Sequence, residues 1–122
     1  MKARSFHESL AFAIAGLVYT WKSQRNFRLH ILFGLTALGC SFLLRLKPLE
    51  LIFIIFAIFL VLIMEVLNTA LETTVDLITK EYHPLANIAK NVGASAVFLA
   101  ALLAAVTGLL IFVPKLLIYF NK

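Results

Sequence analysis

Charged residues are scarce in this 122-residue chain, at 14% of the sequence, whereas apolar residues make up 62%. A soluble domain usually has about 25% charged and about 45–50% apolar residues. A chain this short could not cover so much apolar surface in water, which excludes an ordinary soluble domain, a disordered chain and a collagen-like fibre. Cysteine is almost absent, and Cys40 alone excludes an internal disulfide. We expect one membrane-embedded domain over residues 1–122, since no repeat or Gly/Ser linker divides the chain.

Long apolar runs predict three membrane-spanning helices, because about 20 apolar residues cross the hydrocarbon core of a bilayer. Pro48 marks the turn before the second run, which is uncharged from Leu51 to Met64. No helix breaker follows, so this helix should continue well beyond the bilayer. Pro84 and a short polar run predict a loop before the last span. The predicted spans are 29–46, 49–79 and 94–119, and the predicted loop covers 80–91.

The first segment, 5–23, predicts a further helix of a different kind. Its apolar residues recur at spacings of three or four, which gives one apolar stripe. Polar residues such as Glu8 and Lys22 interrupt the apolar character. An amphipathic helix that lies in the membrane interface fits this pattern better than a span. The stripe consists of Phe6, Leu10, Ala13, Leu17 and Trp21.

The chain has a formal net charge of +5, and the distribution of its basic residues gives the predicted orientation. In a membrane protein such an excess usually marks the cytoplasmic surface, and we do not expect nucleic-acid binding. With three spans, the N-terminus and the 80–91 loop share one side. That side has Lys2, Arg4, Lys22, Arg25, Arg28, Lys80 and Lys90, against Arg45, Lys47, Lys115 and Lys122 on the other. The N-terminus and this loop are therefore predicted to be cytoplasmic.

The second span ends in a row of polar residues, Glu65, Asn68, Glu72 and Asp76, which we call the acidic row. The spacing i, i+3, i+7, i+11 places them on one helix face, within roughly 80° of each other. An ionisable residue next to an apolar run is costly and suggests function. The structural alternative, a solvated helix end, would normally mix in Lys or Arg. Three spans can hardly shield this row from lipid, so an oligomer is expected.

Three carboxylates on one stripe without a cation require a metal, a proton or a basic partner. The predicted loop supplies basic groups nearby, although each could simply be an interfacial charge. The sequence has no Walker motif, no G-x-G-x-x-G, no Cys/His zinc pattern and no readable Ser-His-Asp arrangement. A nucleotide site would therefore have to combine carboxylate-held Mg²⁺ with scattered basic residues.

The run EVLNTALETTVDLITKEYHPLANIAK, residues 65–90, resembles the prokaryotic diacylglycerol kinase family of small integral-membrane lipid kinases. The family signature is Glu-x-x-Asn-[Ser/Thr]-Ala-x-Glu-x-x-x-Asp, then Glu-Tyr-His, then Ala-Lys-Asp. The resemblance extends over nearly the whole chain. The matching residues are Glu65, Asn68, Thr69, Ala70, Glu72 and Asp76, then Glu81, Tyr82 and His83, then Ala89, Lys90 and Asn91.

This resemblance implies an all-α homotrimer with active sites at the cytoplasmic membrane surface, shared between subunits. It implies ATP and Mg²⁺, and transfer of the γ-phosphoryl group to a lipid hydroxyl. Glu65 corresponds to the catalytic base and Glu72 to a metal ligand. Asn68, Asp76 and Arg28 correspond to substrate-site or supporting residues. The nucleotide contacts implied are Glu72, Glu81, Tyr82, His83, Lys90 and Asn91.

Two positions depart from the family pattern. The family partner of Glu72 at the metal is a Glu, and here that position is Gln24. A neutral amide is a weaker Mg²⁺ ligand than a carboxylate. The Asp that follows the lysine of the motif is Asn91 here. Both changes remove negative charge and are expected to weaken metal or nucleotide binding or to shift the nucleotide preference, while Glu65 is retained.

The segment 25–30, Arg-Asn-Phe-Arg-Leu-His, resembles the Gram-positive branch of the family, whose members phosphorylate undecaprenol. The expected activity is thus that of an undecaprenol kinase in the bacterial cell membrane, and diacylglycerol is the alternative substrate. A small oligomeric proton or cation conduit would also place Glu65 and Glu72 in a membrane. Such a conduit would not need Lys90 or the cluster 81–83.

Overall fold

The computed structural model describes residues 5–121, and these residues form four α-helices without a β-strand. Three of the helices are long and apolar enough to cross a bilayer, as the sequence predicts. Lys2, Arg4 and Lys122, which entered the prediction of orientation, lie outside the described residues. The helices are α1 (Phe6–Ser23), α2 (Arg25–Leu43), α3 (Pro48–Ile78) and α4 (Pro84–Phe120).

Helix α1 agrees with the predicted helix over 5–23. Ser5 is its N-cap, and the Ser5 hydroxyl accepts a hydrogen bond from the Glu8 backbone N–H at 3.2 Å. The helix ends at Gln24, whose extended backbone, with φ −117° and ψ 109°, separates α1 from α2. Thr20 is the one buried residue of α1, so most of its side chains remain available to a membrane interface or to another chain.

Helix α2 begins earlier and ends earlier than the predicted span 29–46. The prediction excluded the charged residues from Arg25 onward, but charged side chains do not interrupt backbone hydrogen bonding in a helix. The helix stops at Leu43 because Arg45 takes the left-handed conformation, with φ 52°. The chain then turns into α3, whose bounds differ from the predicted 49–79 by one residue at each end.

The predicted loop over 80–91 is wrong, since α4 already begins at Pro84. Proline fits the first helical position, where its missing N–H costs no hydrogen bond. The His83 ring caps the helix, because its Nδ1 accepts a hydrogen bond from the Leu85 N–H at 3.1 Å. As a result, Lys90 and Asn91 lie on a rigid helix, and the connection between α3 and α4 is short.

Helix α3 is the centre of the packing, because it contacts α4, α2 and α1. Close approach of α2 requires a glycine, because a Cβ added at Gly34 would lie 2.8 Å from Cγ2 of Ile58. Ala100 of α4 is also buried, at 6% exposure. The buried residues of α3 are Ile54, Ala57, Val61, Glu65, Thr69 and Val75.

The remaining faces of these helices expose large apolar side chains. On α3, Phe53, Phe56 and Phe59 are 54%, 71% and 59% exposed. Exposure of such a surface to water is unfavourable, whereas the acyl chains of lipids solvate it without cost. The apolar exterior is therefore consistent with a multi-pass membrane protein.

Candidate active site

The acidic row runs along the last four turns of α3 and turns toward the neighbouring helices. Glu65 faces α2, Asn68 packs against α4, and Glu72 meets the junction of α1 with α2. Asp76, one turn beyond Glu72 on α3, contacts Lys90 of α4. All four side chains therefore contact neighbouring helices within one chain.

Glu65 is the most deeply buried member, at 3% exposure. Nε2 of His30, on α2, lies 3.4 Å from Oε1 of Glu65. This oxygen has no hydrogen-bond partner among residues 5–121, so the imidazole approaches it without an aligned hydrogen bond. Sequence reasoning missed His30 as a site residue. Its signal was available, since His30 ends the polar segment 25–30 at the same end of the bundle as the acidic row.

Glu72 is half-buried, and each of its carboxylate oxygens accepts from a side-chain amide. Asn68 donates to Oε1 at 3.1 Å, and Gln24 donates to Oε2 at 3.4 Å. The structure thus brings Gln24 and Glu72 together, although they are far apart in sequence. A rotated Gln24 amide would present its oxygen in place of its nitrogen, so the same residue can face either a carboxylate or a cation.

The contact between Asn68 and α4 depends on Gly93. A Cβ added at Gly93 would lie 2.5 Å from Oδ1 of Asn68 and 2.6 Å from Cδ2 of Leu71. The Oδ1 atom is buried and has no hydrogen-bond partner within the described chain. The glycine therefore lets α4 approach the acidic row, while the hydrogen bond to Glu72 orients the Asn68 amide nitrogen.

Asp76 and Lys90 form the outer end of the row. Lys90 Nζ lies 2.6 Å from Asp76 Oδ1, with side chains 41% and 46% exposed. A pair this accessible contributes about 0–1 kcal/mol to stability. The pair is more informative about position: it places a cation beside the row, from α4, at the water-accessible end.

The other predicted nucleotide contacts lie on the connection and on the outer face of α4. Glu81, Tyr82, His83 and Asn91 are all exposed. Their hydrogen bonds are local, as when the Glu81 N–H donates to the Thr79 hydroxyl at 3.2 Å. These side chains are therefore accessible to a ligand in water, and no hydrogen bond within residues 5–121 joins them to the acidic row.

Arg28 contacts the end of α1. Its Nη1 donates to the backbone oxygens of Trp21, at 2.6 Å, and Lys22, at 3.2 Å. These carbonyls belong to the last turn of α1, where a cation is favoured. Arg28 thus fixes the bend between α1 and α2, and through that bend it fixes Gln24.

Residues 5–121 contain no group of three or more Cys, His, Asp or Glu side chains that could hold a metal ion by themselves. Mg²⁺ commonly binds proteins through one or two carboxylates, with phosphate oxygens and waters as its other ligands. Glu72 with Gln24 fits that second kind of site, in which the ion arrives with a phosphate ligand.

Comparisons with known proteins identify the family of this chain. The sequence profile of the prokaryotic diacylglycerol kinase family matches residues 11–112. The chain is 42% identical to the undecaprenol kinase of Bacillus subtilis over 91% of this chain and 90% of that protein. It is 42% identical to the diacylglycerol kinase of Synechocystis over 89% of this chain, which spans 63% of that longer protein. It is 32% identical to the diacylglycerol kinase of Escherichia coli K12, over 82% of each chain. The chain therefore belongs to the prokaryotic diacylglycerol kinase family.

Proposed function

We propose that this protein transfers the γ-phosphoryl group of ATP to the hydroxyl of undecaprenol in the bacterial cell membrane. The observation that supports the chemistry best is the buried Glu65 carboxylate, at 3% exposure, where the apolar part of α3 meets the acidic row. The choice of undecaprenol rests on the Bacillus subtilis relative, which matches 90% of its length and is named an undecaprenol kinase. Diacylglycerol is the second candidate, because other relatives are named diacylglycerol kinases.

In this proposal Glu65 is the general base. The lipid hydroxyl oxygen attacks the γ-phosphorus, and Glu65 takes the hydroxyl proton. The bond between the γ-phosphorus and the bridging oxygen breaks, and ADP leaves with that electron pair. The burial of Glu65 excludes water, which would otherwise compete with the lipid as the acceptor.

The nucleotide would bind beyond Glu65, toward the water-accessible end of the row. Glu72 and Gln24 would hold Mg²⁺ together with the phosphates, and Lys90 would add a positive charge near them. When bound, Mg²⁺ neutralises charge on the transferring group. Glu81, Tyr82, His83 and Asn91 are exposed near this end and would contact the rest of the nucleotide.

The apolar tail has a suitable place along α3, near the acidic row. A groove of about 680 Å³ between α1, α2 and α3 has an entirely apolar lining, which includes Trp21, Phe27 and Phe59. The groove reaches Val66 and Leu67, and Val66 directly follows the proposed base. A polyprenyl chain in this groove would lie along α3 beside the turn that carries Glu65, although Glu65 itself does not line the groove.

Further parts of the proposal concern assembly and orientation. We infer a homotrimer, in which neighbouring subunits cover the exposed apolar faces of the spans and complete the sites. The acidic row would face the cytoplasm, the side with the larger number of basic residues. Helix α1 would lie in the cytoplasmic interface.

The test is phosphorylation by the purified protein in lipid nanodiscs, with labelled ATP, Mg²⁺ and equal mole fractions of undecaprenol or diacylglycerol. We expect labelled undecaprenyl phosphate to form faster than phosphatidic acid. Faster labelling of diacylglycerol would contradict the choice of lipid. No labelled lipid with either substrate would contradict the kinase itself, and proton flux in liposomes without phosphorylation would favour the conduit.

A further inference from the structure

A second site lies at the end of the bundle opposite the acidic row. There the end of α2, the turn after it and the end of α4 enclose a cavity of about 410 Å³. Two basic side chains and a tyrosine share its wall with apolar residues. The lining consists of Leu43, Leu44, Arg45, Lys115, Ile118 and Tyr119.

Arg45 occupies a backbone position that disfavours it. Its φ of 52° lies in the left-handed region, and it is the one non-glycine residue with positive φ in the described chain. The Leu46 N–H donates to Ser41 O at 3.1 Å, and the Arg45 N–H donates to Phe42 O at 3.3 Å. This is the Schellman pattern that ends helices, and glycine is the usual residue at the left-handed position. An arginine retained there despite the strain indicates a use for its side chain.

Lys115 is held at the other side of the cavity. Its Nζ lies 3.2 Å from Oε1 of Glu50, with side chains 25% and 24% exposed. Arg45 forms no ion pair within residues 5–121. Arg45 and Lys115 both line the cavity, and Glu50 pairs only with Lys115, so the cavity has an unbalanced positive charge.

We propose that this cavity binds the phosphate of an anionic phospholipid headgroup. The Arg45 guanidinium forms paired hydrogen bonds with phosphate oxygens, and Lys115 adds a second charge. The apolar residues of the lining contact the part of the acyl chains next to the headgroup. Tyr119, 61% exposed, has the amphipathic ring that favours the headgroup level. This proposal does not depend on the kinase reaction, since the site is at the opposite face.

The first experiment compares thermal unfolding of the purified protein in nanodiscs of phosphatidylcholine and in nanodiscs with one third phosphatidylglycerol. We expect the anionic lipid to raise the unfolding midpoint of the parent by about 4 °C or more, because a ligand of the folded state stabilises it. Arg45→Gln should lose most of this rise. Lys47→Gln is the matched control, since Lys47 is a cation of the same turn that does not line the cavity, and it should keep the rise. Inorganic phosphate added to phosphatidylcholine nanodiscs should have little effect, which separates a lipid from a free anion.

Arg45→Gly gives the sharpest contrast, because the two effects of this residue have opposite signs. Glycine accepts the left-handed conformation freely, so the variant should unfold at a higher temperature than the parent in phosphatidylcholine. It should gain nothing from phosphatidylglycerol. Glu50→Gln frees Lys115 from its partner and should enlarge the rise caused by phosphatidylglycerol.

Equal rises in the parent, Arg45→Gln and Arg45→Gly would overturn the proposal, since the lipid would then act without Arg45. An equal loss in Lys47→Gln and Arg45→Gln would also overturn it, because general surface charge would explain the result. No rise in the parent would show that this cavity does not bind the lipid. Each result can be read whether or not lipid phosphorylation is found.

Discussion

Nε2 of His30 lies 3.4 Å from Oε1 of Glu65, and this pair joins α2 to the buried start of the acidic row. The Glu65 side chain is 4% exposed, and its Oε1 atom lacks a hydrogen bond within residues 5–121. A small rotation of the imidazole would let Nε2–H donate to this oxygen. The carboxylate would then be held in one orientation, with its other oxygen free to accept the lipid proton.

The first prediction concerns this pair. His30→Ala should lower kcat for lipid phosphorylation by about tenfold or more, since the base loses its orientation, while KM for ATP changes little. His30→Gln should retain most of the activity, because its amide nitrogen can donate as Nε2 does. His30→Phe keeps the ring shape without the donor and should behave like His30→Ala.

The control is His7→Gln, on the exposed face of α1, which should match the parent. Steady-state kinetics with ATP and lipid varied separately give the two constants. Parent-like activity in His30→Phe would mean that the ring only fills space. Loss of activity in all three variants, with normal thermal unfolding in detergent, would mean that an amide donor cannot replace the imidazole.

The second prediction tests the proposed base. Glu65→Gln should keep the fold but lose phosphoryl transfer by at least the 10²–10⁴-fold that general acid–base help typically supplies, in order of magnitude. Glu50→Gln changes a carboxylate of the same helix at its other end and should remain active. Activity of Glu65→Gln within about threefold of the parent, in the same labelled-lipid assay, would exclude Glu65 from that role.

The outcome for the fold shows which features a single sequence can predict. The bounds of α3 were predictable because Pro48 fixes the start and the apolar run has no breaker. The start of α4 was not, because Pro84 was interpreted as a loop residue while it occupies the first helical position. Polar residues near Lys90 supported the interpretation as a loop, although the first turns of a helix are commonly amphipathic where it leaves the bilayer.

The site divides in the same way. The acidic row lies on one helix, so its spacing alone predicts that its members share a face. Contacts between helices depend on register and rotation, which spacing within one helix does not determine. For that reason His30 was missed, and the contact of Arg28 with the end of α1 was not foreseen, while its role as a substrate-site residue stays a prediction. The contact between Gln24 and Glu72 was predicted from the family resemblance and not from helical periodicity.

The third prediction concerns Gly93. In Gly93→Ala the new methyl group would collide with Asn68 and Leu71, so α3 and α4 must separate or the Asn68 amide must turn. We expect a loss of about 1–3 kcal/mol in stability, the usual cost of overpacking, and a fall in activity. Gly39→Ala is the matched control on α2, because nothing lies within 4 Å of its added Cβ. That variant should be as stable as the parent or slightly more stable, since alanine favours a helix. Equal thermal midpoints for the two variants in detergent would contradict the close approach at Gly93.

The last prediction concerns the metal. Gln24 donates to Oε2 of Glu72 at 3.4 Å, so Gln24→Glu would place two carboxylates side by side. Without a cation these charges repel, and the variant should unfold at a lower temperature than the parent. With Mg²⁺ they form a better site, so the ion should restore the midpoint of the variant and leave the parent nearly unchanged in the absence of nucleotide. In the lipid assay, Gln24→Glu should need less Mg²⁺ for half-maximal activity, whereas Glu72→Gln should be inactive at any practical Mg²⁺ concentration. The Mg²⁺ requirement of each protein is measured by titrating Mg²⁺ at fixed ATP in Ca²⁺-free buffer. An unchanged Mg²⁺ requirement in Gln24→Glu, together with no effect of Mg²⁺ on its unfolding, would show that residue 24 does not face the ion. Full activity of Glu72→Gln would show that the acidic row does not bind the metal.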